Sequence, residues 1–386
     1  MKRFFGILLA LTLLCGCLMV PSSAAADPAS AAGLRFKQDG TFKIIQVADL
    51  QEFLISSTIS AQFLWDLAER EKPDLFVLTG DNVSTGGANQ VPAFLGRIAV
   101  RSSVDTMMSA FDRIYKKFGI PVTMVYGNHD NEAGPACVSR ADQFAMYARH
   151  ESFIGYYIPE ADEGTEDAQG QHYGTHNLLV YDKNGAAPAF NIWMFDSGSY
   201  DKRGGYSCVQ RPQIDWFNET NEATGKLPSF SFQHIVVPEI YDFLTPDKKL
   251  PAGTKGVMRE DPCPGTECND GQYEALNSAG NVLAMFFGHD HVNTYELILP
   301  GTDLVNSPCS GFGSYGDIDL RGVRVITLRE SDLSAYETQC LSYQTYYGDS
   351  PLRQLRLEMF QQIQTPATLL DVITFKPLLW AAGLFG

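Results

Sequence analysis

The sequence is short of positive charge. Only 29 Lys and Arg residues stand against 45 Asp and Glu residues, which gives a formal net charge of −16 at pH 7. An acidic excess of this size repels polyanions over long distances, so we expect neither a nucleic acid nor an anionic membrane to be the main partner. A buried metal centre would still attract a single phosphate group locally.

Long apolar runs are also scarce, and the clearest one lies at the N-terminus. Lys2 and Arg3 precede an apolar run over residues 4–20, and three alanines follow at 24–26. A short apolar run with basic residues before it and small residues after it is typical of a secretory signal peptide. The sequence therefore predicts a signal peptide over residues 1–26 and a secreted or extracytoplasmic protein.

No segment is predicted to span a membrane. The apolar stretch at residues 369–386 is interrupted by Asp371, Lys376 and Pro377. A bilayer span needs about 20 mainly apolar residues in succession. We expect this stretch to pack on the core, and binding at a membrane surface is the alternative.

Cysteine is uncommon, and six residues remain after the predicted signal peptide. An even number in an exported chain is consistent with disulfides, and proximity favours Cys263 with Cys268. No C-x2-C pair is present, which argues against a structural zinc site. Residues 14–17 approximate a bacterial lipoprotein box, so a lipid anchor on Cys17 is an alternative to full secretion.

Several familiar catalytic motifs are absent. The chain has no Gly-x-Ser-x-Gly elbow, no His-Glu-x-x-His helix and no Walker loop. Residues 311–313 (Gly-Phe-Gly) are interpreted as a turn rather than a nucleotide-binding loop. His150, His172 and His176 lack motif partners and are interpreted as surface or loop residues, although His172 or His176 could line a pocket.

Apolar runs alternate with helical patterns in the first third of the chain, which predicts an α/β fold with parallel strands. Strands are predicted at residues 41–48, 74–79, 122–126, 178–181, 190–195, 230–237, 282–287, 295–299, 304–306 and 323–328. Helices are predicted at residues 60–70, 103–118, 137–152 and 352–363. The segment 245–271 shows no periodicity, and a loop of that length usually lines or covers a site.

Polar side chains of only three types lie at the ends of the predicted strands or within their C-terminal halves. They are Asp49, Asp81, Asn128 with His129, His234, and His289 with His291. Ligands of α/β sheets bind outside the carboxyl ends of the strands, where loops bring several side chains to one crevice. Carboxylate, amide and imidazole ligands together suit iron, manganese or zinc. The sequence therefore predicts a transition-metal site at these strand ends.

The ordered motifs resemble the calcineurin-like metallophosphoesterase superfamily, and within it the small purple-acid-phosphatase-like branch. The superfamily resemblance rests on Gly-Asp-Asn at residues 80–82, Gly-Asn-His-Asp at 127–130, a single histidine and Gly-His-Asp-His at 288–291. The closer resemblance rests on residues 195–198, 234–239, 255–260 and 288–293. It covers roughly residues 41–328 and implies a four-layer α-β-β-α sandwich with the metal site at strand ends.

The resemblance also implies a dinuclear centre and its ligands. Asp49 and His291 would hold the first metal, Asp81 would bridge, and Asn128, His234 and His289 would hold the second. A metal-bound hydroxide would attack the phosphorus of a phosphate ester. His129, oriented by Asp130, would contact the phosphate and help the leaving oxygen depart.

Two residues depart from the family pattern. Gln51 occupies the place of a histidine in the first motif, and an amide oxygen is a weaker, neutral ligand. Ser84 occupies the place of the metal-binding tyrosine of the purple enzymes, so no tyrosinate-to-iron colour is expected. A non-catalytic or weakly active metal-binding relative is therefore the alternative to an exported phosphoesterase.

Four segments are predicted along the chain. They are a signal peptide at 1–26, a linker at 27–40, the metallophosphoesterase domain at 41–330, and a C-terminal helical extension with an apolar tail at 331–386.

Overall fold

The computed structural model describes residues 33–52, 58–86, 88, 91–132, 134–166, 172–348 and 350–351. The predicted signal peptide with Cys17, the predicted helix at 352–363 and the apolar stretch at 369–386 lie outside the described residues.

Strands and helices alternate along the described chain. The strands are β1 (Thr41–Val47), β2 (Leu75–Thr79), β3 (Val122–Val125), β4 (His176–Tyr181), β5 (Pro188–Met194), β6 (Ser229–Phe232), β7 (Val282–Phe287), β8 (Glu296–Leu297), β9 (Asp303–Asn306), β10 (Gly322–Arg329) and β11 (Asp332–Ser342). The α-helices are α1 (Thr58–Glu71), α2 (Ala93–Phe118), α3 (Arg140–Tyr147), α4 (Pro159–Asp162), α5 (Arg211–Ala223), α6 (Gln272–Ala279) and α7 (Tyr343–Tyr347).

The strands form two sheets. The first has the order β11-β10-β1-β2-β3, and the second has the order β4-β5-β6-β7-β9-β8. The strands β1, β2 and β3 are parallel to one another, and so are β5, β6, β7 and β9. The outer strands pair in the antiparallel direction. Parallel strands end at the same edge of their sheet, which gathers the loops that follow them.

Three apolar layers lie between four layers of structure. Alternate residues of β1 face opposite sides, so Ile44 packs between the two sheets while Ile45 packs under the helices of the first sheet. In β7, Phe286 faces the other sheet and Phe287 faces the layer that holds Trp216 of α5. Strands covered on both faces read as continuous apolar runs, which is why these strands were predictable. The order helix, sheet, sheet, helix agrees with the predicted α-β-β-α sandwich.

The predicted helical extension from residue 331 is wrong at its start. Asp332–Ser342 instead forms β11, which pairs with β10 at the edge of the first sheet. Ten of its eleven residues are exposed or only half-buried, so its sequence has no continuous apolar run and pairing with β10 determines its conformation. The short helix α7 follows, and Tyr343 stacks on Phe63 of α1 at 3.9 Å between ring centroids.

Three further expectations need correction. The disulfide joins Cys208 to Cys268, whose Cα atoms lie 5.6 Å apart, and Cys263 is a free, exposed thiol. Proximity in sequence was a poor guide because the fold brings the loop before α5 against the loop before α6. His172 and His176 are not surface residues, since both side chains are buried in hydrogen-bonded networks.

No helix in the described part of the chain is long and apolar enough to cross a membrane.

Candidate metal centre

The structure brings all six predicted ligands to one place. In the first sheet, Asp49 follows β1, Asp81 follows β2 and Asn128 follows β3. In the second sheet, His234 follows β6, and β7 leads into the pair His289 and His291. The six side chains are buried where the carboxyl ends of the parallel strands of both sheets meet.

His234 lies at the centre of one group of ligand atoms. Its Nε2 atom is 3.1 Å from Oδ1 of Asn128, 3.2 Å from Nδ1 of His289 and 3.4 Å from Oδ2 of Asp81. Its other ring nitrogen lies 2.9 Å from the backbone oxygen of Thr79, which fixes the plane of the ring. Two imidazoles, an amide oxygen and a carboxylate thus converge.

Asp49 joins this group to a second one. Its Oδ1 atom is 3.3 Å from Nε2 of His291, and its Oδ2 atom accepts a 3.0 Å hydrogen bond from the backbone N–H of His289. Ligand atoms of Asp49, Asp81 and His234 all lie within 4.8 Å of one another. One cluster therefore contains two carboxylates that share imidazole neighbours.

Gln51 lies in the same cluster but presents its amide nitrogen. Its Nε2 atom donates a 3.0 Å hydrogen bond to Oδ2 of Asp81, and its backbone N–H donates to the backbone oxygen of Asp81. The amide nitrogen of Gln51 is a hydrogen-bond donor, whereas a metal ligand at this position would need a lone pair. In this conformation Gln51 orients the carboxylate of Asp81.

The backbone is strained at these strand ends. Among the described non-glycine residues, positive φ angles occur at Asp49 (53°), Gln51 (47°), Asp81 (50°) and His289 (70°), and otherwise at three lysines. Left-handed backbone is unfavourable for residues with a side chain, and such strain gathers at functional sites. Here it turns each chain sharply after its strand, so that the side chains point toward one centre.

His129 is held by a different residue from the one predicted. The carboxylate of Asp130 accepts hydrogen bonds from the backbone N–H groups of Gly127, at 2.8 Å, and Val83, at 2.9 Å. It therefore shapes the loop and does not orient the His129 ring. Glu132 does so, because its Oε2 atom contacts Nδ1 of His129. The backbone N–H of His129 donates to Oδ1 of Asp81 at 2.7 Å.

The two buried carboxylates favour positive charge around them. Burial opposes protonation of His234, but the charges of Asp81 and Asp49 outweigh it and raise its pKa to about 9. The same balance, with Asp81 and Glu132 as the anions, raises the pKa of His129 to about 9. Burial and the neighbouring His234 lower the pKa of His289 well below its usual value. Either protonated imidazoles or metal cations must balance the negative charge of the two carboxylates in this site.

A sequence profile described as calcineurin-like phosphoesterase matches residues 42–293 of the 386-residue chain. The chain belongs to this family. The calcineurin-like phosphoesterase fold accounts for the two-sheet sandwich, and the matched range contains all six ligands.

Curated relatives of this calcineurin-like phosphoesterase include plant proteins. It is 28% identical over 355 residues to the probable inactive purple acid phosphatase 29 of Arabidopsis thaliana, and the alignment covers 81% of each chain. It is 27% identical to the probable inactive purple acid phosphatase 28 of the same plant, over 73% of this chain and 74% of that one. Among solved structures, a dimetal phosphatase from Danio rerio is 14% identical, with a TM-score of 0.48 over 78% of this chain and 99% of that one.

The residues fit a pair of metal ions. Oδ1 of Asp49, which lies 3.3 Å from Nε2 of His291, is buried and makes no hydrogen bond within the described residues. Buried polar atoms without partners are costly, and a bound cation is an ordinary explanation for them. The donor set of carboxylates, one amide oxygen and imidazoles suits iron, manganese or zinc.

Four side chains around the centre were not predicted from the sequence: Glu132, Tyr200, Tyr206 and Tyr315. Glu132 had a weak signal, because it stands three residues after His129 in a turn. The tyrosines gave none, since aromatic residues far apart in the chain look like core residues until the fold is known.

Proposed function

We propose that this protein is an exported, metal-dependent hydrolase of phosphate esters that uses a dinuclear site. One observation carries the proposal: six oxygen and nitrogen ligands from both sheets converge in a buried cluster that contains Asp49 and Asp81. Two buried carboxylates this close repel each other unless cations separate them. Two metal ions meet that need and create a binding site for a phosphate group.

Each ion has a distinct set of ligands in this proposal. Asp49 and His291 would hold the first ion, and Asn128, His234 and His289 would hold the second, with Asp81 shared between them. Such a pair of ions neutralises the charge of a bound phosphate and makes water acidic enough to act as a nucleophile near neutral pH.

His129 is the residue we assign to the leaving oxygen. Its side chain is 35% exposed, whereas the proposed ligands are buried, so a substrate reaches it from solvent. Burial lowers the pKa of His129, but the Glu132 carboxylate at Nδ1 raises it and so favours a protonated ring, which can donate its proton to the departing oxygen. Glu132 holds the ring in place through Nδ1.

Gln51 supports a second candidate function. Its amide nitrogen faces Asp81, so the first site lacks the neutral nitrogen ligand that a histidine would supply. A protein that binds a single metal ion, with weak or no turnover, is the function that this observation favours. The plant relatives, named as probable inactive phosphatases, agree with it.

Export rests on two features. The N-terminal sequence has the charge and apolar pattern of a signal peptide. The Cys208–Cys268 disulfide fits an oxidising compartment.

The test combines metal removal with a substrate panel. The protein is stripped with a chelator, reloaded separately with manganese, zinc or iron, and assayed with an aryl phosphate monoester and a diester. We expect turnover that depends on metal, that is lost in Asp81→Asn, and that persists in the control Asp332→Asn, which changes an exposed residue of the edge strand β11. Metal binding without turnover of either ester would support the second candidate instead.

A further inference from the structure

The glycine-rich segment at residues 310–316 lies directly against the first metal motif. The backbone N–H of Gly311 donates to the backbone oxygen of Asp49 at 3.2 Å. A Cβ atom on Gly311 would lie 1.8 Å from the backbone oxygen of Leu50, and one on Gly313 would lie 2.0 Å from that of Gln51. These contacts require glycine and hold the segment in a fixed position beside the centre.

This segment places an aromatic ring on one of the histidine ligands. The ring of Tyr315 stacks on that of His291, with centroids 4.1 Å apart and an angle of 7° between the planes. Nδ1 of His291 lies 2.9 Å from the backbone oxygen of Tyr315, and the Tyr315 hydroxyl donates to Oε2 of Glu260. Tyr315 is nevertheless 45% exposed, so the ring keeps an accessible surface next to the metal ligands.

Aromatic rings also flank the other histidine of the pair. Tyr206 packs edge-on against His289 with centroids 4.3 Å apart, and it stacks with Tyr200 at 5.5 Å. The Tyr200 hydroxyl donates to Oε1 of Glu132, the residue that contacts the ring of His129. Rings from two separate loops therefore border the centre, and one of them, Tyr200, contacts the residue that holds the His129 ring.

The same border is acidic. Glu132 and Glu260 each accept a hydrogen bond from a tyrosine of the border. The cations in or beside the two loops are already paired: Arg259 with Asp317 and Asp319, each at 2.7 Å, Lys202 with Glu166, and Arg203 with Asp201 at 2.8 Å. A substrate with a second negative group would meet carboxylates here, which weakens its binding.

We propose that the tyrosine border, defined as Tyr200, Tyr206 and Tyr315, is the leaving-group site, and that the substrates are phosphate esters of a flat, uncharged aromatic alcohol. This inference rests on the proposed function, because a phosphate bound at the centre places its ester group at the border. Aromatic rings prefer to stack on other rings, so Tyr315 selects for a planar group.

The test uses inhibitors that cannot be hydrolysed. Benzylphosphonate, cyclohexylmethylphosphonate and 4-sulfobenzylphosphonate are titrated into the metal-loaded protein by calorimetry. The first two differ in planarity at similar size, and the third adds one negative charge to the same ring. We expect benzylphosphonate to bind roughly twofold to tenfold more tightly than the cyclohexyl compound, the range for one aromatic pair. The sulfonated compound should bind more weakly than benzylphosphonate.

Variants locate the effect. Tyr315→Ala should remove the preference for the aromatic compound, while Tyr315→Phe should keep it, because the ring remains. Phe94→Ala, which removes an exposed ring from α2, is the control and should change nothing. Glu260→Gln should recover part of the binding of the sulfonated compound. Metal content is measured in every variant, so that loss of metal is separated from loss of stacking.

The outcomes distinguish the two proposals. Equal binding of the planar and cyclohexyl compounds, or a preference that survives Tyr315→Ala, would overturn the leaving-group site alone. Failure of all three phosphonates to bind the loaded protein would overturn the proposed function as well.

Discussion

Replacing Gln51 with histidine should strengthen metal binding at the first site. Gln51 donates a buried 3.0 Å hydrogen bond to Asp81, the proposed bridging ligand. An imidazole would offer a lone pair in place of that donor, and it binds transition metals better than an amide does. The backbone should accept the change, since φ is 47° and histidine is enriched in left-handed conformations relative to most residues.

The structure sets the size of two opposite effects. A hydrogen bond to a charged group contributes about 1.5–3 kcal/mol, so the metal-free variant should be less stable by up to that amount. One additional good ligand should raise metal affinity about tenfold or more, and a tenfold change corresponds to about 1.4 kcal/mol. The variant should therefore unfold earlier than the wild type without metal and gain more from added metal.

Thermal unfolding with and without manganese or zinc, together with competition against a chromogenic chelator, measures both effects. Gln38→His is the matched control, because Gln38 is exposed and precedes β1, whereas Asp49 follows the opposite end of that strand. If Gln51→His bound metal no more tightly than Gln38→His, the assignment of residue 51 to the first metal site would be wrong.

Three further changes test other parts of the account. Glu132→Gln should lower kcat about tenfold for alkyl phosphates and less for nitrophenyl phosphate, because a good leaving group needs little help from His129. An equal loss of kcat with both substrates would contradict a positioning role for Glu132. Gly127→Ala would place a Cβ 2.2 Å from Oδ1 of Asp81, so elemental analysis should show lost metal, and unchanged metal content would contradict the tight packing. Burial lowers the pKa of His176 to about 4. Because the unfolded chain takes up this proton near pH 6.5, stability should fall by about 3 kcal/mol between pH 6.5 and 4. Urea denaturation should show a smaller fall in His176→Asn, and equal falls would refute the assignment.

The central strands were predictable because both of their faces are covered. β7 matches its predicted range at residues 282–287, where an uninterrupted apolar run ends at Gly288. The edge strand β11 was not predictable from an apolar run, since exposed residues alternate with half-buried ones along much of it and its conformation depends on β10. The helix α2 begins at Ala93, ten residues before its predicted start at 103. Its first turns expose Phe94 and Ile98, which hides the amphipathic pattern there.

The metal cluster was predictable from residue type and place, whereas its surroundings were not. Asp49 and His291 are polar residues at the ends of apolar strands. Asp, Asn and His side chains gathered at several such strand ends are typical of a ligand-binding site. Asp130 was assigned the wrong partner because sequence adjacency to His129 does not say where a carboxylate points. The backbone turns it toward the N–H groups of Gly127 and Val83 instead.

The most direct test of the account is the metal-to-protein ratio of the purified chain, measured by elemental analysis beside Asp81→Asn and Asp332→Asn. We expect close to two transition-metal ions per chain in the wild type and the Asp332→Asn control, and a clear loss in Asp81→Asn. A wild-type chain that binds no transition metal after reloading, or an Asp81→Asn variant with full metal content, would contradict it.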